Sequence, residues 1–179
     1  GLPDRVPSSL LTASQYDDDL RLSVISGTMP SDISGYIWMV HPMPPGDDAA
    51  LFAGNGRVVR LGLDSTGIDA KLRLIRTPCH YADLAATGRS YGFQNMSLMR
   101  FSMQLGGRNM ANTAFVVLED DRVLVTYDGG RPNELNPATA EFATAVGKQD
   151  EWVGTMPSWM GWLLPHPFKV IMSSAHPAV

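Results

Sequence analysis

The sequence predicts an all-β protein, and three observations lead to this. Short β-prone runs recur along most of the chain, and turn-forming residues separate them at regular spacing. Hydrophobic residues make up 44% and charged residues 18% of the 179 residues, as in a globular protein with a core. No close internal repeat is visible. The pattern therefore leaves a barrel, a sandwich and a propeller open.

The first half of the chain alternates between apolar runs and turns. Residues 1–20, rich in Pro, Ser and Asp, predict an extended arm, and RLSVISG and GYIWMV predict two strands after it. The proline-rich stretch that begins at His41 predicts a loop, because proline cannot continue a strand ladder. Asn55-Gly56 predicts a type I′ hairpin turn within ALFAGNGRVVRLGLD, and KLRLIRTP predicts the next strand.

The second half shows the same alternation. The run TAFVVLEDDRVLVTYDGG predicts two strands around Glu119-Asp120-Asp121 and a further turn at Asp128-Gly129-Gly130. Asn136-Pro137 predicts a loop before AEFATAVG. Residues 83–107 lack clean alternation, and a short helix there is an open interpretation.

Charge and cysteine content restrict the classes of function. The net charge of −4 provides no overall basic surface, so we expect no nucleic-acid partner. Cys79 is the sole cysteine, which excludes an intrachain disulfide and a cysteine-based zinc site. With no basic-apolar leader and no apolar run near 18 residues, we expect a cytoplasmic protein.

Four stretches carry a family resemblance, in the same order as in that family. They are SGTMPSDISGYIWMVHPMPP, LFAGNGRVVRLGL, NTAFVVLEDDRVLVTYDGGRPNELNPATAEFATAVGK and Ser173-Ser174-Ala175-His176-Pro177. Together they resemble the carotenoid cleavage oxygenase family, which includes retinal pigment epithelial membrane protein. The last stretch is similar to the family's Ala-His-Pro site, where the histidine is an iron ligand.

The resemblance implies a seven-bladed β-propeller that holds Fe(II) on its axis with four histidines. It implies that His176 is the first of these ligands. Because a blade takes about 40–50 residues, we expect residues 21–179 to be an incomplete N-terminal part of the propeller. Three further histidine ligands are then expected in the remaining part of the propeller, on a companion fragment.

Two residues within the third stretch are candidates for the same site. The family has a glutamate where Asp128 stands, and the resemblance implies that this carboxylate orients a histidine ligand through its other ring nitrogen. Aspartate is one methylene shorter, and a plain turn residue is the alternative reading. Tyr127 stands where stilbene-cleaving relatives have a lysine, which favours a long apolar polyene as the substrate that Tyr127 contacts.

The implied reaction is cleavage of a carbon-carbon double bond of a carotenoid or apocarotenoid by O₂, giving two carbonyl products. Two alternatives stay open: a stilbene-type alkene dioxygenase, and a β-propeller that binds a partner without catalysis. The run MPSWMGWLLPHPF before His176 could form core, line a substrate tunnel or make a peripheral membrane contact. His166 in that run, His80 and His41 are interpreted as residues that do not bind metal.

Overall fold

The computed structural model describes residues 16–43, 54–86, 106–154, 168–174 and 176–177. Four strands form the first sheet: β1 Asp18–Leu22, β2 Gly35–Pro42, β3 Gly56–Asp64 and β4 Gly67–Leu74. Four form the second: β5 Phe115–Val117, β6 Val123–Val125, β7 Asn133–Leu135 and β8 Phe142–Ala145. The strand orders are β1-β4-β3-β2 and β5-β6-β7-β8, and all neighbours pair antiparallel. The all-β prediction is confirmed for these residues.

The hairpin of the first sheet lies between β3 and β4, where Asp64 pairs with Gly67 across a two-residue turn. The carboxylate of Asp64 accepts hydrogen bonds from the backbone N–H of Thr66 at 2.7 Å and of Gly67 at 3.1 Å. Gly67 has a φ of +149°, which glycine adopts without a side-chain clash. Local side-chain bonds therefore define this turn.

The predicted hairpin turn at Asn55-Gly56 is wrong. Gly56 is the first residue of β3 and pairs with Pro42, and neither Asn55 nor Gly56 has the positive φ that a type I′ turn requires. A Cβ atom at Gly56 would lie 1.9 Å from the carbonyl oxygen of Ala111, so glycine serves a close backbone approach here.

The predicted loop at His41 begins two residues too early. His41 and Pro42 are the last residues of β2. Proline is tolerated there because β2 is an edge strand of its sheet, where one row of backbone donors is not needed.

In the second sheet, β5 and β6 confirm the two predicted strands, β8 lies in the run AEFATAVG, and β7 was not predicted. A short 3₁₀ turn, Glu119–Asp121, joins β5 to β6, and Asp120 and Asp121 there have φ of 60° and 57°. Aspartate is one of the few residues that tolerate this left-handed conformation. Between β7 and β8, the side chain of Asn136 accepts a hydrogen bond from the backbone N–H of Ala138 at 2.8 Å.

Two elements begin before their predicted positions. Strand β1 starts at Asp18, inside the stretch expected to be an arm, and residues 1–15 lie outside the described residues. Helix α1 covers Pro78–Ala86. Thr77 precedes it and its hydroxyl accepts a hydrogen bond from the backbone N–H of His80 at 3.2 Å, as an N-cap does.

The two sheets pack on one core, and the buried side chain of Arg60 connects them. The core residues are Val58, Ile75, Ala111, Val125, Leu135 and Ala140. Trp38 of the first sheet meets Phe115 of the second edge-to-face, with ring centroids 5.8 Å apart. Arg60, 4% exposed, donates to the carbonyl oxygens of Pro137 and Ala138 at 2.8 and 2.6 Å. This contact holds the turn between β7 and β8 of the second sheet against the first sheet.

Candidate functional site

The candidate site begins at the turn after β6. The three residues of strand β6 are all buried. Thr126 continues the strand direction, because its backbone N–H donates to the carbonyl of Ala114 at 2.9 Å. Half-buried Tyr127 comes next, and exposed Asp128 lies in the turn with Gly129. The predicted turn at Asp128 is confirmed, and its carboxylate stands at the solvent-facing end of a buried strand.

The segment 168–174 reaches back to this turn from a distant part of the sequence. Phe168 forms a parallel bridge with Gly106, and the backbone N–H of Gly107 donates to the carbonyl of Phe168 at 2.9 Å. A Cβ atom at Gly107 would lie 2.7 Å from a methyl carbon of Val170. Glycine at position 107 therefore permits the close approach of the segment.

Ser173 joins the end of the segment to the Asp128 turn. Its backbone N–H donates to the carbonyl of Asp128 at 3.2 Å. Its hydroxyl lies 2.7 Å from the carbonyl oxygens of both Tyr127 and Gly130, and the single hydroxyl proton is shared between them. Sequence reasoning did not single out Ser173, and the small residues before the Ala-His-Pro match were its one available signal.

His176 follows Ser173 by three residues, and its side chain is exposed. The structure thus places the histidine-bearing segment directly on the turn that carries Tyr127 and Asp128. Within the described residues, no group of three or more His, Cys, Asp or Glu side chains is placed to hold a metal ion. The role of His176 as a metal ligand therefore stays a prediction.

Tyr127 has a surrounding that keeps its phenol neutral. Burial raises its pKa, the charge of Arg108 opposes that rise, and the charges of Asp128 and Cys79 add to it. Arg108 is itself buried and forms an ion pair with Asp83, with 2.9 Å between the guanidinium Nε and the carboxylate. At neutral pH the Tyr127 phenol is therefore protonated and uncharged.

Two other histidines have packing partners in the described structure. The Nδ1 atom of His80 lies 3.0 Å from the side-chain nitrogen of Asn55, and burial together with the charge of Arg76 lowers the pKa of His80. The Nδ1 atom of His41 lies 3.2 Å from the carbonyl oxygen of Pro42. His166 and most of the tryptophan- and methionine-rich run lie outside the described residues.

The family model of retinal pigment epithelial membrane protein matches residues 11–179. The chain belongs to this family. The match runs through β1–β8, the Asp128 turn and His176, so both sheets and the candidate site lie within the family region. A search among curated proteins found no match. In the described residues, no helix is long and apolar enough to cross a membrane.

Solved structures similar to this family member include three oxygenase structures. A Glu-to-Asp variant of Synechocystis apocarotenoid oxygenase (ACO) is 20% identical with a TM-score of 0.61, over 76% of this chain and 30% of its own. Cobalt-substituted Synechocystis ACO is 20% identical with a TM-score of 0.58, and the match covers 74% of this chain and 30% of the ACO chain. An ACO/RPE65 chimera is 20% identical with a TM-score of 0.59, and the match covers 75% of this chain and 30% of the chimera. This chain therefore shares their fold and spans about a third of their length.

Proposed function

We propose that this chain is the N-terminal part of an Fe(II)-dependent oxygenase that cleaves a carbon-carbon double bond of a carotenoid or apocarotenoid. The observation that carries the proposal is the family match over residues 11–179. The apocarotenoid oxygenases among the similar folds support the substrate class, and the cobalt-substituted one supports a divalent metal. The two four-stranded antiparallel sheets would be two blades of a seven-bladed propeller, with residues 21–179 forming its first blades.

His176 would supply one of four histidine ligands, and the remaining propeller would supply three. Neutral imidazoles suit Fe(II), and open coordination positions on the metal admit O₂ or substrate. The exposed His176 side chain follows a segment that Ser173 holds on the Asp128 turn through three backbone carbonyls. This attachment limits the positions that the imidazole can take, as ligand pre-organisation requires.

Asp128 would orient a histidine ligand through its second ring nitrogen, either directly or through water. Its exposed carboxylate lies in a turn that Ser173 restrains through hydrogen bonds to the carbonyls of residues 127, 128 and 130. A carboxylate that accepts a hydrogen bond from one imidazole N–H fixes the tautomer of the histidine. It also makes the other ring nitrogen a stronger metal ligand.

Tyr127 would contact the substrate. Its ring is half-buried and its hydroxyl is protonated at neutral pH, so it combines an apolar face with one donor. An apolar polyene can pack on the ring without a charged partner. Cleavage of R–CH=CH–R′ by O₂ gives R–CHO and R′–CHO, with one oxygen atom in each product and no other reductant.

The test is iron content and product formation with the full-length protein. After anaerobic Fe(II) loading, we expect about one iron per chain by elemental analysis, since the family site is mononuclear, and two aldehyde products from an apocarotenoid. Under ¹⁸O₂, each aldehyde should contain label when it is trapped at once. Iron with no cleavage of carotenoids or apocarotenoids but cleavage of hydroxystilbenes would favour the stilbene alternative. Absence of iron after loading would favour a non-catalytic binding propeller.

A further inference from the structure

A cavity of about 340 Å³ lies behind the Asp128 turn, on the side lined by Gly129 and Gly130. Its volume is at the lower end of the range of about 300–1,000 Å³ in which small-molecule sites fall. The start of helix α1, the turn after β6 and the segment 168–171 all contribute to its wall. Neither His176 nor Asp128 is among the residues that line the cavity.

The charged residues in the described part of the lining are both cations. Arg131 and Lys169 line the cavity, and among the described residues no aspartate or glutamate does. This is unusual for a chain with 18 acidic and 14 basic residues. Six other described cations pair with a carboxylate, whereas in the described part of the chain neither Arg131 nor Lys169 does.

The recorded partners of these two cations are neutral. Arg131 donates from Nη1 to the backbone carbonyl of Gly147 at 2.5 Å, and Lys169 donates to that of Gln149 at 3.4 Å. Each side chain has further donors: an arginine has five N–H groups and a lysine ammonium has three. Donors therefore remain for an anionic group at the cavity.

A buried amide adds polar capacity to the same wall. Asn133 is 3% exposed, and its side-chain nitrogen makes one long hydrogen bond, 3.4 Å, to the carbonyl of Arg131. An amide NH₂ has two N–H donors, so a second donor of Asn133 is left for another acceptor. The amide lines the cavity, where that N–H can donate to an anionic oxygen of a ligand.

The rest of the wall is apolar. Pro78, Ala145, Phe168 and Ile171 contribute to it, and Ile171 is 3% exposed. An apolar ligand body would pack against these side chains and leave water, which is favourable at roughly 25 cal/mol per Å² of apolar area. The cavity thus combines a cationic end with an apolar wall.

We propose that this cavity binds a small organic carboxylate, with its anionic group on Arg131 and Lys169 and a short apolar chain against Phe168 and Ile171. The carboxylate matches the remaining guanidinium and ammonium donors, since charge-assisted hydrogen bonds are the strong ones. The site is independent of the metal, and binding to it does not require oxygenase activity.

The test is calorimetric titration of the metal-free full-length protein with octanoate, octanol, octylamine and inorganic phosphate. We expect octanoate to bind, with octanol, octylamine and phosphate each weaker by roughly tenfold or more, because each lacks the anionic group or the apolar chain. Lys169→Gln and Arg131→Gln should each lower octanoate affinity by roughly tenfold, the effect of one lost charge-assisted hydrogen bond.

Two further variants make the result decisive. Lys148→Gln removes an exposed lysine that does not line the cavity, and it should leave octanoate affinity unchanged. Gln149→Glu adds a negative charge to the lining at nearly constant shape, and it should weaken octanoate but not octanol. If octanol or phosphate binds as tightly as octanoate, if no probe binds, or if Lys169→Gln has no effect, the proposal is wrong.

Discussion

The Ser173 hydroxyl lies 2.7 Å from the carbonyl oxygen of Tyr127, and this contact joins residues 46 positions apart in the chain. It connects the segment that ends at His176 with the turn that contains Asp128. Ser173 makes two more bonds to the same turn, to the carbonyls of Asp128 and Gly130. The segment that leads to a candidate metal ligand is therefore attached to the turn that carries a candidate orienting carboxylate.

The first prediction concerns the metal ligand itself. Replacement of His176 by Ala in the full-length protein should abolish iron retention and alkene cleavage, because a four-histidine site would lose one ligand. Iron per chain after dialysis is the measurement. His166→Ala is the matched control, since it removes the other histidine that precedes a proline, and it should keep wild-type iron content. Retention of iron in His176→Ala would remove His176 from the site.

A second prediction concerns Asp128. Asp128→Asn should lower metal affinity by roughly 10–100-fold, the usual effect of losing a partner of a ligating histidine. Competition with a metal chelator measures this directly. Asp128→Glu restores the residue that the family has at this position, and we expect it to keep metal affinity at the wild-type level or above. Equal affinity in wild type and Asp128→Asn would leave Asp128 as a turn residue.

The attachment by Ser173 is a third prediction. Ser173→Ala removes the hydroxyl, and metal affinity should fall by roughly fivefold, because a net hydrogen bond contributes about 1 kcal/mol. Ser173→Thr keeps a hydroxyl and should retain most of the affinity. Ser174→Ala changes an exposed neighbour and serves as the control.

Stability and positioning can be separated at Ser173. If the residue acts only on the fold, Ser173→Ala would lower the denaturation midpoint of the metal-free protein without changing metal affinity. If it positions His176, metal affinity should fall even under conditions where wild type and variant are equally folded.

A fourth prediction concerns the contact between the two sheets. Arg60 is buried, and its Nη2 atom lies 2.7 Å from the carboxylate of half-exposed Asp69. Its Nη1 atom donates two hydrogen bonds to backbone carbonyls of the second sheet's β7–β8 turn. Arg60→Ala should lower the free energy of unfolding by roughly 2–4 kcal/mol, because it removes several charge-assisted hydrogen bonds and the packing of a buried side chain. Arg122→Ala removes a surface ion pair with Glu134 and should change the midpoint of urea denaturation little.

The fifth prediction is a pH dependence that arises from His80. Burial lowers the pKa of His80 in the folded protein, so the unfolded chain binds a proton more readily. Its contribution to stability is complete above the unfolded pKa of about 6.5 and is lost as the pH falls through and below that value. Urea midpoints between pH 7.5 and 5 should show this loss.

The loss of stability at still lower pH has a different origin. The pKa values of Asp19 and Asp64 are lowered, chiefly by hydrogen bonds from Arg73 and Thr66, so their stabilisation is lost only as the pH falls below the ordinary carboxyl range. His80→Gln should therefore flatten the curve between pH 5 and 6.5 and leave the steeper loss near pH 4 in place. An unchanged slope in the upper window would contradict the assignment to His80.

Much of the fold was predictable from local sequence. The apolar runs of β2, β4, β5, β6 and β8 are followed by turn residues, and this punctuation is the local signal for short strands. The motif order from SGTMPSDISG to Ala-His-Pro was enough to predict the family. Local chemistry at Asn136 and Glu119–Asp121 also specified the turns of the second sheet.

Tertiary structure decided the remaining features. Asn55-Gly56 matches a hairpin signal, yet Gly56 lies in β3 and pairs with Pro42. Glycine is needed at this position because the carbonyl of Ala111 approaches it too closely for any side chain. The docking of Ser173 on the Asp128 turn, and the cavity behind that turn, have no sequence pattern of their own. They depend on backbone N–H and carbonyl groups, which almost every residue carries, so only the folded arrangement of the chain determines which of them meet.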